Sequence, residues 1–170
     1  MKIAVVVGNP KAQSRTRRVA LAVADALAEL KTSQEHDEPL VVDLAEVATD
    51  LFDFESTGIK SLLAAVASSD LLIVASPTYK ATYTGLLKVF LDRYGNDGLA
   101  GTVGVAVMTG AAPIHALAPE VHLRPLLVEL GASIPARGLY VTEAQFDDLD
   151  AIIASWAVRA KPLIDRALST

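Results

Sequence analysis

Cysteine is absent from this 170-residue chain, so it has neither a disulfide framework nor thiolate chemistry at a metal or redox centre. Any electron transfer must then run through a bound cofactor. Aromatic residues make up only 5% of the sequence while apolar residues reach 52%, which leaves the core to Ala, Val, Leu and Ile. That is the composition of a parallel α/β sheet covered by helices on both faces, whose central strands read as continuous apolar runs. No apolar run approaches the roughly 18 residues of a membrane span. The first residues lead straight into a strand, without the basic-then-apolar plan of a signal peptide. The expectation is a cytoplasmic protein with no membrane partner. A basic stripe is missing too: fifteen basic and twenty acidic residues are mixed along the chain, for a net charge of −5, so nucleic acid is not an expected partner. With no internal repeat, low-complexity stretch or linker, residues 1–170 read as one domain.

Apolar runs predict strands over residues 2–7, 40–44, 70–75, 102–108 and 138–142. Between them lie helical periodicities. The first starts near Arg15 and aligns Val19, Val23, Leu27 and Leu30, with Arg18, Asp25 and Glu29 opposite. Others are expected over 60–69, over 84–94 with Thr82 or Thr84 as cap, and over 117–130, stopped by Gly131. The last runs over 148–168, aligning Leu149, Ile153, Trp156, Ala160, Leu163 and Ala167, with a kink at Pro162. Residues 45–58 suit a loop or short helix that tucks Phe52 and Phe54 inward. The alternation of strand and helix gives a doubly wound sheet.

Ligands of such sheets bind outside the carboxyl ends of the strands, where strand order reverses. Three loops fall at such ends: Gly8 to Thr16, Ser76 to Tyr83 and Thr109 to His115. The first is no P-loop, because no Gly-Lys-Ser/Thr follows, and its single glycine is too few for a dinucleotide fingerprint. It suits a phosphate monoester, with Ser14 and Thr16 as hydroxyl donors, Arg15 as a charged donor, and amides between Asn9 and Arg15 completing the set. An ordinary loop with Ser14 as helix cap is the other reading. In the second loop, Pro77 fixes the turn, Tyr79 and Tyr83 can flank a planar ring, and backbone groups from Thr78 to Ala81 can bond its polar edge. Tyrosines that merely cover apolar surface are the alternative. His115 reads as a cap-region residue, His122 as an exposed helix residue, and Arg124-Pro125 as a candidate subunit contact. No metal-ligand spacing or nucleophile elbow is present.

Taken in order, these loops resemble the NADPH-dependent FMN reductase family of flavodoxin-like proteins, in particular the reductases that serve two-component monooxygenases. Gly8-Asn9-Pro10, followed by Ser14-Arg15-Thr16, is similar to the family's G-S-x-x-x-x-S-R-T phosphate loop, with Asn9 where Ser is common. Ser76 to Lys88 resembles its P-x-Y-x-x-x-x-x-G-x-L-K segment at the flavin edge. Thr109-Gly110-Ala111-Ala112-Pro113, with Leu123 to Leu127 and Leu130-Gly131-Ala132, resembles the third loop and following helix, with Ala111 where many members carry glycine.

The resemblance implies a five-stranded parallel sheet of order 2-1-3-4-5. It implies FMN with its phosphate at Gly8, Asn9, Pro10, Ser14, Arg15 and Thr16, and its isoalloxazine against Pro77, Thr78, Tyr79, Lys80, Thr109, Gly110 and Ala111. NADPH or NADH would stack on the ring and pass hydride to it, so no catalytic side chain and no metal are expected. A homodimer or homotetramer and a flavin-dependent monooxygenase partner are further implications. The alternatives are a reductase of quinones, azo dyes or metal oxyanions with tightly held FMN, and a flavodoxin-like electron carrier.

Overall fold

The computed structural model describes residues 1–28 and 38–169. Glu29 and Leu30 lie outside the described residues. Strands β1 (Ile3–Val7), β2 (Leu40–Asp43), β3 (Leu71–Pro77), β4 (Val103–Gly110) and β5 (Leu139–Thr142) form one parallel sheet of order β2-β1-β3-β4-β5. This is the flavodoxin-like order, and its reversal point lies between β1 and β3. Two expected boundaries move. Ser76-Pro77 and Thr109-Gly110, read as loop, are the last residues of β3 and β4, with Ser76 paired to Met108, Pro77 to Thr109 and Gly110 to Thr142. Proline is tolerated there because the strand ends with it.

Alternation along the strands splits the core in two. Ile3, Val5 and Val7 of β1 and Leu71, Ile73 and Ala75 of β3 face α1 (Arg15–Ala28) and α5 (Leu149–Leu168). Ala4 and Val6, with Leu72 and Val74, face α2 (Thr57–Ala67), α3 (Gly85–Leu91) and α4 (Arg124–Glu129). Small aliphatic side chains let helices sit close on both faces, and each fully buried Val, Leu or Ile contributes about 1.5–3 kcal/mol. In α5 the buried stripe includes Leu149, Ile153, Trp156, Ala157, Ala160 and Ile164. Leu163, predicted inward, is 45% exposed, because the stripe drifts to Ile164 over the helix's last turns. The helix runs through Pro162 without a break.

The helix expected over 117–130 is divided. Pro125 lacks the N–H that would bond back to Val121, and the chain first makes a wide turn over Pro119–Leu123, with Arg124 N–H donating to the Pro119 carbonyl five residues back. Such π-type turns accommodate a residue that breaks the α ladder. α4 then ends as anticipated at Gly131, whose φ is +89°. The Ala132 N–H reaches the Leu127 carbonyl and the Gly131 N–H that of Val128, a Schellman closure.

Phe52 and Phe54 do not tuck inward: they are 73% and 65% exposed. Leu51 is buried in their place, and Phe54 is covered by the Arg93 guanidinium, 4.6 Å from its ring centroid. Arg93 also donates to the carbonyls of Leu51, Asp53 and Phe54, so these hydrogen bonds, together with the burial of Leu51, hold the segment.

Tyr94, edge-on to Phe90, donates to the Leu63 carbonyl at 3.0 Å. Burial pushes its phenol well above the usual range. A raised folded-state pKa adds stability that is complete below the unfolded phenol's value and is lost as pH climbs past it. The urea midpoint is therefore expected to fall above about pH 10. Tyr94→Phe should flatten that decline in parallel denaturation series.

Candidate functional site

A cavity of about 430 Å³ opens at the carboxyl ends of β1, β3 and β4, within the size range of small-molecule sites. One wall is Asn9, Lys11, Gln13, Ser14, Arg15 and Thr16; the other is Pro77, Thr78, Tyr79, Thr109, Gly110 and Ala111, with Glu143 and Phe146 at the side.

The first wall is a loop with little freedom. Asn9 folds it through an Asx turn, its Oδ1 accepting from Lys11 N–H at 2.9 Å. Gln13 takes φ +53° and donates its N–H to Asp43 at the end of β2. Two of the amides expected to serve an anion are thus engaged already, one by the loop's own Asn9 and one by Asp43. Ser14 caps α1, its Oγ accepting from Arg17 N–H at 3.2 Å, and helix geometry leaves the amides of Arg15 and Thr16 at the positive end of α1. Thr16, predicted as a phosphate donor, is 1% exposed. Its Oγ1 lies 2.8 Å from Thr109 Oγ1 and accepts from Asn9 Nδ2 at 3.1 Å, tying the loop to β4 across the sheet.

The opposite wall is built from strand ends and a tight hairpin. Thr78 N–H donates to the Thr109 carbonyl at 2.7 Å. Tyr79 and Thr82 exchange backbone hydrogen bonds around Lys80 (φ +51°) and Ala81 (φ +71°), a turn with both central residues left-handed. Non-glycine residues hold such dihedrals at a cost that clusters at ligand sites. The hairpin leaves Tyr79 52% exposed at the cavity. Tyr83 instead packs on the core beside α3, so only one of the two tyrosines borders the site.

Of the sequence-predicted residues, Gly8, Pro10 and Lys80 do not line the cavity. Gly8 lies beneath it, with its N–H on the Ala75 carbonyl and its own carbonyl accepting from Thr84 Oγ1; Pro10 and Lys80 face solvent. Lys11, Gln13, Glu143 and Phe146 were not anticipated as side chains of the site. Thr142-x-x-Gln145 is a capping-box pattern. It marks a fourth structured turn at a strand's carboxyl end, and was the available signal for Glu143 and Phe146. His115 and His122 lie outside the lining, and among the described residues no group of His, Asp or Glu is placed to hold a metal.

The two walls differ in chemistry. One gathers hydroxyls, two amide side chains, two cations and a helix N-terminus; the other offers a flat run of strand ends and a tyrosine. Thr78 Oγ1 has no hydrogen-bond partner among the described residues, a polar group left over on the flat wall. A ligand with an anionic tail and a planar, polar-edged head fits this set, and FMN has that form.

The sequence profile described as NADPH-dependent FMN reductase matches residues 1–147. The chain belongs to that family. Every residue lining the cavity falls inside the match. The NADH-dependent FMN reductase SfnF of Pseudomonas putida is 34% identical, over 86% of this chain and 80% of its own length. An FMN reductase (NADPH) of Pseudomonas aeruginosa is 33% identical, over 95% and 91%. Among solved structures, the apo form of the NADH:FMN oxidoreductase EMOB aligns with a TM-score of 0.82 at 26% identity, covering 99% of this chain and 88% of that one. Family members similar to this chain thus carry both nicotinamide specificities in their names. No described helix is long and apolar enough to cross a membrane.

Proposed function

We propose that this protein is an NAD(P)H-dependent FMN reductase working at the cavity between the β1 and β3 ends. The observation that carries the reading is the division of that cavity into an anion-donor wall and a flat wall. FMN, when bound, supplies an isoalloxazine that accepts hydride from a nicotinamide nucleotide. The chain's own residues bind and orient. Ser14, Arg15 and the first amides of α1 hold the phosphate, while Asn9 and Thr16 keep the loop rigid. Pro77, Thr78 and Tyr79, with Thr109, Gly110 and Ala111, seat the ring. Gly110 lets Tyr140 approach the strand end that carries this seat, because a Cβ there would run into the Tyr140 hydroxyl. No side chain need carry a proton for hydride transfer.

The physiological acceptor we propose for the reduced flavin is a monooxygenase, in the cytoplasm, with the reductase a homodimer or homotetramer built from domains of residues 1–170. The test is consumption of NADH and NADPH, followed by nicotinamide absorbance, with added FMN, FAD or riboflavin. Saturable turnover that depends on added FMN is expected. A rate no higher than the enzyme-free control with both nucleotides would overturn the reading.

A further inference from the structure

At the side of the cavity stands a carboxylate that opposes the purpose of the anion-donor wall. Glu143 directly follows β5 and borders the cavity. Its Oε1 accepts from Arg15 Nη2 at 2.6 Å, with the two side chains 51% and 61% exposed. Arg15 Cζ also lies 5.6 Å from the Phe146 ring centroid. The turn that presents both partners is fixed by the Thr142 and Gln145 capping box. Arg15 is therefore engaged across the cavity by a residue 128 positions away.

We propose that Glu143 sets how tightly flavin is retained, by competing with the phosphate of FMN for Arg15. This rests on the FMN reading above. A phosphate monoester carries about −1.5 to −2 charges at neutral pH. The cavity meets it with the cations Lys11 and Arg15 and the anion Glu143. An exposed ion pair is weak, so a phosphate can draw the guanidinium from Glu143, but it must break that contact to do so. Arg15 serves as a latch closed by Glu143 when the phosphate leaves and opened when it arrives. The consequence is a site that discriminates less than it can between flavins with and without phosphate, and that releases FMN readily. That suits a protein handing reduced flavin to another enzyme. Glu143 is a positioning residue, acting through Arg15.

The test measures FMN and riboflavin dissociation constants by quenching of flavin fluorescence, at low and high salt. Glu143→Gln, which keeps shape and removes charge, is expected to tighten FMN about two- to five-fold and leave riboflavin unchanged. The gain should shrink at high salt and vanish in an Arg15→Ala background, since the two residues act as one coupled pair. Weaker FMN binding, equal shifts for both flavins, or a gain that persists without Arg15 would overturn the proposal. If the unmodified protein binds neither flavin, the FMN reading itself fails. Flavin binding that Glu143→Gln does not alter defeats the latch alone.

Discussion

Gly8→Ala is expected to lower the unfolding free energy by about 2–3 kcal/mol, in the upper range for overpacking a close contact. A Cβ at Gly8 would sit 2.5 Å from Leu87 Cβ and 3.2 Å from its Cγ. Leu87 is fully buried in α3, and its Cβ moves only with the helix backbone, so no rotamer change relieves the contact. Moving α3 away would strain the bond from Thr84 Oγ1 to the Gly8 carbonyl. Thr84 also caps α3, accepting from Leu87 N–H at 3.1 Å. Gly8, Thr84 and Leu87 therefore form one rigid junction between the loop after β1 and the helix after the Tyr79–Thr82 hairpin. Urea unfolding should show a lower midpoint at unchanged slope. Gly85→Ala is the control: nothing lies within 4 Å of a Cβ there, and alanine in the first turn of α3 should be neutral or mildly stabilising. Equal midpoints for both variants would mean that α3 slides away from β1 at little cost.

Packing thus accounts for the first glycine of the loop motif, and this illustrates what the sequence could and could not disclose. Strand identity was legible because β1 and β3 are buried on both faces and read as unbroken apolar runs. Gly131 was legible because a left-handed helix end favours glycine. The three loops were legible because their order matched a family pattern. Depth was not: a motif residue beneath the site, such as Gly8, reads the same as one that borders it, such as Ser14. Side-chain direction in a hairpin was equally hidden. Tyr79 and Tyr83 look alike in sequence, but the left-handed pair Lys80 and Ala81 turns the chain so that one borders the cavity and the other joins the core. Glu143 and Phe146 belong to the site only because β5 pairs with β4, a contact of the tertiary fold. The exposed Phe52 and Phe54 show that aromatic residues alone do not announce burial when an arginine is at hand to cover one of them.

Ser14 carries the second large effect, because its two readings, helix cap and phosphate ligand, are compatible in one hydroxyl. The cap uses a lone pair: Oγ accepts from Arg17 N–H. A hydroxyl has one O–H donor besides, and on a residue that lines the cavity while 7% exposed, that donor is available to an anion. Ser14→Ala removes both functions. Its expected cost is about 1 kcal/mol of fold stability from the cap, and about 1.5–3 kcal/mol of FMN binding from the lost bond to a charged group. The latter is about a 10- to 150-fold rise in dissociation constant. Riboflavin, which lacks the phosphate, should lose little. Ser14→Asp separates the two roles: aspartate is an equally good cap but offers the phosphate a negative charge in place of a donor. It should unfold at a temperature near that of the unmodified protein while binding FMN even less well than the alanine variant, and riboflavin nearly normally. If Ser14→Asp instead lost FMN and riboflavin to the same degree, the phosphate would not lie at the head of α1.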